Sequence, residues 1–267
     1  VAGALSAVLL AASAAAPPEV PACTPPVDLG PATVPDLDAL RASLGPEFAA
    51  ALDRNDQEHK ADCDRSCESF YCGPAPVVAP PETRALPIGK ALPVDFPADF
   101  EAMGQNLIHV TTAPVFPPEE CNNVIRMAEE DARGLGEFPS GKYRMGGDWV
   151  TSLPRVRAWF NEALRTRLFP AVAALFPGVV PDPSALRAHS VIVAKYNGTH
   201  PRTDVHVDSA LLAMTIALSD RADYEGGGTL FEHLGPGEEG IVGMDQGQVT
   251  LRPGSVRHGG APVTAGV

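Results

Sequence analysis

An α+β fold is predicted by three features of the chain. Two amphipathic helical patterns lie between residues 117 and 170, short period-two segments follow from about residue 184, and Gly- and Pro-rich breaks separate those segments. Many short strands at regular spacing predict a sandwich or barrel, with the helices packed on its outside. The body is expected to span residues 98–267. Ahead of it lies a Pro/Ala-rich, Cys-containing segment over residues 17–97.

The chain opens on Val1–Ala16, an Ala- and Leu-rich apolar stretch followed by Pro17-Pro18. A bilayer span takes about 20 residues, so this stretch is short for one. Its small-residue end matches a secretory cleavage site, and residues 1–16 read as the remnant of a signal peptide or as a clipped anchor. Residues 17–97 hold 15 of the 28 Pro. Much of that region is expected to be extended linker. One helical island sits inside it: Asp36 caps Leu37, Leu40 and Leu44, and Pro46 opens a second turn with Phe48 and Leu52.

Asn106–Phe116 reads as a strand. Pro117-Pro118 then starts a helix with Cys121, Val124, Ile125 and Ala128 on one face, which makes Cys121 a core thiol. Ser152 with Pro154 opens a second helix, whose apolar face is Val156, Trp159, Phe160, Ala163 and Leu164. Pro170 and Pro177-Gly178 are expected to close that region. The period-two segments are Leu186–Asn197, Thr203–Asp208, Leu211–Leu218, Thr229–Leu234, Ile241–Met244 and Gln248–Arg252. Their breaks are Asn197-Gly198, Gly226–Gly228, Gly235-Pro236-Gly237 and Pro253-Gly254.

The net charge is −13, from 20 Lys plus Arg against 33 Asp plus Glu, and no basic run occurs. That balance argues against nucleic acid as a partner, because phosphate binding needs a basic patch. A membrane partner is expected only if residues 1–16 remain as an anchor. Five Cys are present, with Cys63, Cys67 and Cys72 in a C-x3-C-x4-C cluster, Cys23 upstream and Cys121 alone. Three thiols without a suitably spaced His do not make a zinc finger. Disulfides in an oxidising compartment fit better, and fit the leader.

His206-Val207-Asp208 is the first place where chemistry gathers. Alternate side chains on a strand share a face, so His206 and Asp208 point one way and Val205 and Val207 the other. With seven His in the chain, one H-x-D match is a weak signal. It gains weight from His258, just after a strand and the Pro253-Gly254 turn. An antiparallel strand some fifty residues on can return beside the first. Two imidazoles and one carboxylate on one side of a metal form a facial triad, which leaves positions open and suits Fe(II).

Residues 191–232, with the motifs IVAKYN, TDVHVDSALLAMTIALSD and EGGGTLFE, followed by GQVTLRPGSVRHGGAPVTAGV, resemble the iron(II)/2-oxoglutarate-dependent dioxygenases. The similarity is closest to the prolyl 4-hydroxylase alpha-subunit-like catalytic domain and covers roughly residues 105–267. The resemblance implies a double-stranded β-helix, or jelly roll, with His206, Asp208 and His258 as iron ligands. Tyr196 stands where those relatives place a tyrosine lining the cosubstrate pocket. Fe(II), 2-oxoglutarate and L-ascorbate are the implied cofactors, and a peptidyl or small-molecule substrate is the implied partner. A carboxylate at Asp208 favours hydroxylation over halogenation, which uses a small residue there. The family also places an Arg or Lys about ten residues after the distal His, which here is the position after Val267. The implied location is the secretory pathway, in the endoplasmic reticulum lumen or outside the cell.

Other candidates are weaker. His189 and His200 read as surface or packing residues, His233 as solvated, and Lys195 as a snorkelling surface residue. Gly226–Gly228 lacks the strand-loop-helix context of a phosphate cradle and reads as a turn. Ser209 and Thr250 have no assignable role. Two competing readings stand beside the hydroxylase. One is a non-catalytic β-helix module binding a peptide or glycan in the secretory pathway; the other is a zinc or manganese cupin-like enzyme.

Overall fold

A computed structural model describes residues 2–11, 68–88, 100, 106–133 and 146–266. In chain order the elements begin with β1 (Ala2–Ala11), β2 (Thr83–Pro87), β3 (Asn106–Thr111), α1 (Pro118–Arg133), β4 (Gly146–Trp149), α2 (Pro154–Ala163) and α3 (Phe169–Leu175). Then come β5 (Leu186–Tyr196), β6 (Leu212–Ala217), β7 (Tyr224–Gly226), β8 (Thr229–Phe231) and β9 (Ile241–Val242). The last are β10 (Val249–Pro253), β11 (His258–Gly260) and β12 (Val263–Gly266).

Seven strands form one sheet in the order β2-β3-β10-β6-β1-β5-β4; β11-β8-β9 form a second, and β12-β7 pair apart. The pairing is antiparallel in all three sheets. The fold is thus α+β with antiparallel sheets. No closed barrel forms among the described residues.

Strands β6 and β10 are buried along their whole length. Their sequences alternate accordingly. Val249 and Leu251 are apolar, while Thr250 and Arg252 take the opposite face of β10. The helices cover the sheet from outside: Glu129 of α1 pairs with Lys195 of β5 at 3.0 Å, and Phe176, just after α3, meets the His109 ring of β3 at 5.3 Å.

Helix α1 starts where the double proline predicts, with Glu119 and Glu120 in its first turn. Its inward residues Cys121, Val124, Ala128 and Ala132 are all buried. Cys121 is a free core thiol whose pKa burial raises to about 11, so it is no nucleophile. Helix α2 begins at Pro154 without a side-chain cap, because Leu153 and not Ser152 holds the cap position.

Pro170 does not close the helical region. A π-helical turn at Leu164–Leu168 joins α2 to α3, and Pro170 lies inside α3. Proline clashes with the carbonyl four residues back, and the wider turn ahead of it lets the chain stay helical. The predicted Asn106–Phe116 strand stops at Thr111. Thr229–Leu234 splits into β8 and a 3-10 turn, Glu232–Leu234.

The apolar stretch at the start of the chain supplies β1, which lies between β5 and β6 in the large sheet. Within the Pro-rich segment, the described residues 68–88 pack against the body. Phe70 is buried edge-on to Phe160 at 5.8 Å, and β2 pairs with β3. Cys72 is disulfide-bonded. The helical island at residues 36–52 and Cys23, Cys63 and Cys67 lie outside the described residues.

Candidate metal centre

The H-x-D segment does not form a regular strand. Thr203–Asp208 follows β11 through separated contacts, with one isolated antiparallel bridge at His206 and His258. The His206 N–H donates to His258 O at 2.8 Å, and the His258 N–H returns to His206 O at 2.9 Å. The Thr203 N–H donates to Gly260 O at 3.3 Å, and the Asp208 N–H to Gly254 O at 2.9 Å. These contacts tie the segment to the outer edge of β11 in the three-stranded sheet. The expected return of a distant strand beside the first is therefore present.

One donor atom from each of His206, Asp208 and His258 lies within 4.8 Å of the others. The Asp208 carboxylate has Oδ1 3.7 Å from His206 Nε2 and Oδ2 3.4 Å from His258 Nε2. Bonds of about 2.0–2.2 Å to one ion would need donors roughly 3 Å apart, so the three groups are spaced for a small divalent cation with little movement.

The ring orientations are already set. His206 Nδ1 donates to Asp204 O at 2.8 Å, and His258 Nδ1 donates to Val256 O at 2.9 Å. A carbonyl only accepts, so each Nδ1 carries the hydrogen and each Nε2 is the nitrogen turned toward the Asp208 carboxylate. His258 is buried, and that burial, aided by the positive Arg252, holds its pKa well below the usual histidine value. A bare nitrogen therefore faces a carboxylate oxygen across 3.4 Å. Two acceptors at that range repel unless a cation lies between them. The donor set fits a metal better than it fits itself.

Tyr196 is brought to the same corner. Its hydroxyl meets Thr203 Oγ1 at 2.9 Å, and Thr203 Oγ1 also accepts the Gly260 N–H at 2.9 Å. Burial raises the Tyr196 pKa, so the phenol keeps its proton. Gly260 leaves room for this arrangement: a Cβ there would lie 2.6 Å from Thr203 Oγ1 and 2.8 Å from the Tyr196 hydroxyl. Two hydroxyls share one bond and accept one N–H, which leaves one O–H hydrogen for a ligand.

Two residues of this corner carried no role in the sequence reading. One is Thr203, which sits between Tyr196 and Gly260. The other is Arg252, a guanidinium 1% exposed, with Nη2 3.4 Å from Asp208 Oδ2. A charged residue in the buried alternation Val249-Thr250-Leu251-Arg252 was the available signal, since an arginine is almost never fully buried without a partner.

Among the described residues, the remaining histidines stay out of the centre. His189 is buried on β5 with Nδ1 3.1 Å from Ser190 Oγ, and the His200 N–H donates to Asn197 Oδ1 at 2.9 Å. His233 is buried, not solvated, because β8 ends at Phe231 and the 3-10 turn tucks the imidazole inward. Lys195 reaches Glu129 rather than open solvent. Gly226–Gly228 is a turn, with φ values of 74°, 66° and 102°. Thr250 is fully buried beside Arg252.

No protein-family model matches this chain, and no curated protein matches it.

Proposed function

We propose that the protein is an Fe(II)- and 2-oxoglutarate-dependent hydroxylase with a double-stranded β-helix core, acting on peptidyl substrates in the manner of prolyl 4-hydroxylases. The observation that carries this reading is the facing of two tautomer-fixed Nε2 atoms and one carboxylate toward a common point. Such a triad leaves three positions of an octahedral ion open, the arrangement used by non-haem iron oxygenases. Ferrous iron there would supply oxygen activation coupled to decarboxylation of 2-oxoglutarate, with L-ascorbate keeping the metal reduced.

The chain's own residues do the rest. His206, Asp208 and His258 hold the ion. Asp204 O and Val256 O keep the two rings aimed. The Tyr196 and Thr203 hydroxyls line the cosubstrate side and offer one hydrogen to an acidic ligand. Phe231, 6.3 Å from the His258 ring, screens the inner side from water. His206 and Val207 are partly exposed, so substrate approaches from the side of the H-x-D segment. The Cys72 disulfide supports placement in the secretory pathway.

The test is succinate release with proline-rich peptides, using the full gene product supplied with Fe(II), 2-oxoglutarate and ascorbate. Peptide-dependent succinate that disappears in His206→Ala is expected. A protein that binds iron yet releases no succinate with any peptide overturns the hydroxylase reading.

A further inference from the structure

We infer that the exposed proline-rich strap at residues 74–81 is itself a hydroxylation site, presented to the metal centre of a second copy of this chain. The inference rests on the hydroxylase reading above and names a substrate for it. Among the described residues, the exposed large hydrophobic side chains are Val77, Val78, Trp149 and Val207. They fall in two places. Val77, 92% exposed, and Val78 stand in the strap, with Pro74, Pro76 and Pro80 exposed beside them. Trp149 and Val207, each 50% exposed, belong to the side of the metal centre. Val207 lies in the chain between two of the ligands. Trp149 pairs with Ile192 of β5, so its side chain shares a face with Ala194 and Tyr196. Tyr196 reaches the Thr203 corner from that face, whereas Lys195 reaches Glu129 of α1 from the other.

The strap is built as an extended peptide. Each proline fixes its own φ and turns the residue before it away from helix, which restricts Ala75, Ala79 and Pro80 as well. Residues 75–81 belong to no helix or strand, and their backbone makes no hydrogen bond to the described residues. A segment so restricted docks with little further loss of conformational entropy. Its ends are pinned. The Tyr71 N–H donates to Asn161 Oδ1 at 2.9 Å, the Tyr71 hydroxyl donates to Pro74 O, and beyond the strap β2 pairs with β3. Those anchors lie on α2 and at the β2 edge of the large sheet, while Trp149 lies at its β4 edge. The strap therefore does not reach its own metal centre, and a second copy takes it. Residues 73–81 carry no charge, so they approach a chain of net charge −13 without repulsion. Val77 and Val78 then cover the Trp149 and Val207 side chains, and Pro76 and Pro80, which bracket the valine pair, are the rings offered to the ion. The reaction balances with the cosubstrates already named. One ring C–H becomes C–OH with one atom of dioxygen, and the other atom leaves in succinate as 2-oxoglutarate loses carbon dioxide. The C–H bond and 2-oxoglutarate each give up one electron pair.

The test mixes two full-length copies, the wild type and an isotope-labelled His206→Ala, with Fe(II), 2-oxoglutarate and ascorbate in air. After reduction and trypsin, residues 66–84 of the labelled copy are expected to gain the mass of an oxygen atom at Pro76 or Pro80, and to gain nothing when the wild type is left out. Val77→Asp in the labelled copy should lower that yield about 10-fold, the order of effect of covering one valine. Should His206→Ala not fold, the wild type alone decides, since strap oxygen made between copies rises with the square of protein concentration. A second readout needs no turnover. A nitroxide on Val77→Cys of one copy is expected to quench Trp149 of another as concentration rises, and Trp149→Phe to remove that dependence. Succinate released with proline-rich peptides, without oxygen on the strap and without such quenching, overturns the inference and leaves the hydroxylase standing. No succinate with any peptide and no oxygen on the strap overturn the hydroxylase reading and this inference with it.

Discussion

On the helix side of the large sheet, the buried groups are mostly apolar, with the His109 ring among them, and charges find close partners at the rim. Phe116, Phe160, Phe169 and Phe176 are fully buried there. Glu120 accepts from both Arg167 and the Trp159 indole, and Arg167 also lies over the Phe116 ring at 4.2 Å. On the inner side, Asp208, His258 and Arg252 meet at 3.4 Å, long for charge-assisted bonds, and Arg252 Nε is unsatisfied. Strand β10 turns Val249 and Leu251 to one face and Thr250 and Arg252 to the other. The first is arranged for its own stability. The second collects polar groups that satisfy one another poorly, which is expected where they are organised around something else.

If that contrast is right, substitutions on the two sides should fail in different ways. The largest effect on stability is expected from Phe160→Ala. It deletes a fully buried ring packed on Phe70 and Trp159 and should cost about 3–5 kcal/mol in denaturant unfolding, with metal affinity kept in the folded fraction. Thr203→Val comes next. It leaves the Gly260 N–H without its acceptor and should cost about 1–3 kcal/mol, while loosening Tyr196 enough to weaken cosubstrate binding.

Acid should act through buried rings away from the centre. Burial holds His109 and His233 below the ordinary value of 6.5. The unfolded chain takes up protons near 6.5 that the folded chain resists, so stability is complete above that pH and falls as pH drops below it. Urea midpoints across a pH series check this, and His233→Gln should flatten the acid slope. At the site, His206→Ala should abolish metal binding while changing metal-free stability by about 1 kcal/mol or less, since the ring is partly exposed. Smallest of all is Arg165→Ala, which removes an exposed pair with Glu162 and should leave the unfolding midpoint unmoved. A large loss of metal-free stability in His206→Ala would erase the contrast.

The candidate site was more legible than the frame that carries it. His206, Asp208 and His258 could be read because metal ligation restricts residue type and spacing. Helix α1 and strands β5, β6 and β10 were legible because their apolar periodicity is long or continuous. Strands β4, β7, β11 and β12 were missed: each has three or four residues rich in Gly, and pairing rather than propensity makes them strands. The apolar Ala/Leu composition of residues 2–11 carries the leader reading and says nothing of the pairing of β1 with β5 and β6. Arg252 and Thr203 went unassigned for another reason. Their meaning lies in contacts across 44 and 57 residues of chain.

The most direct measurement is X-ray absorption at the cobalt edge on full-length protein loaded anaerobically with Co(II). The account predicts one ion per chain, two imidazole nitrogens and one carboxylate oxygen among its ligands, and no binding by Asp208→Ala or His258→Ala. A spectrum without imidazole scattering, or unchanged binding in those variants, would contradict it.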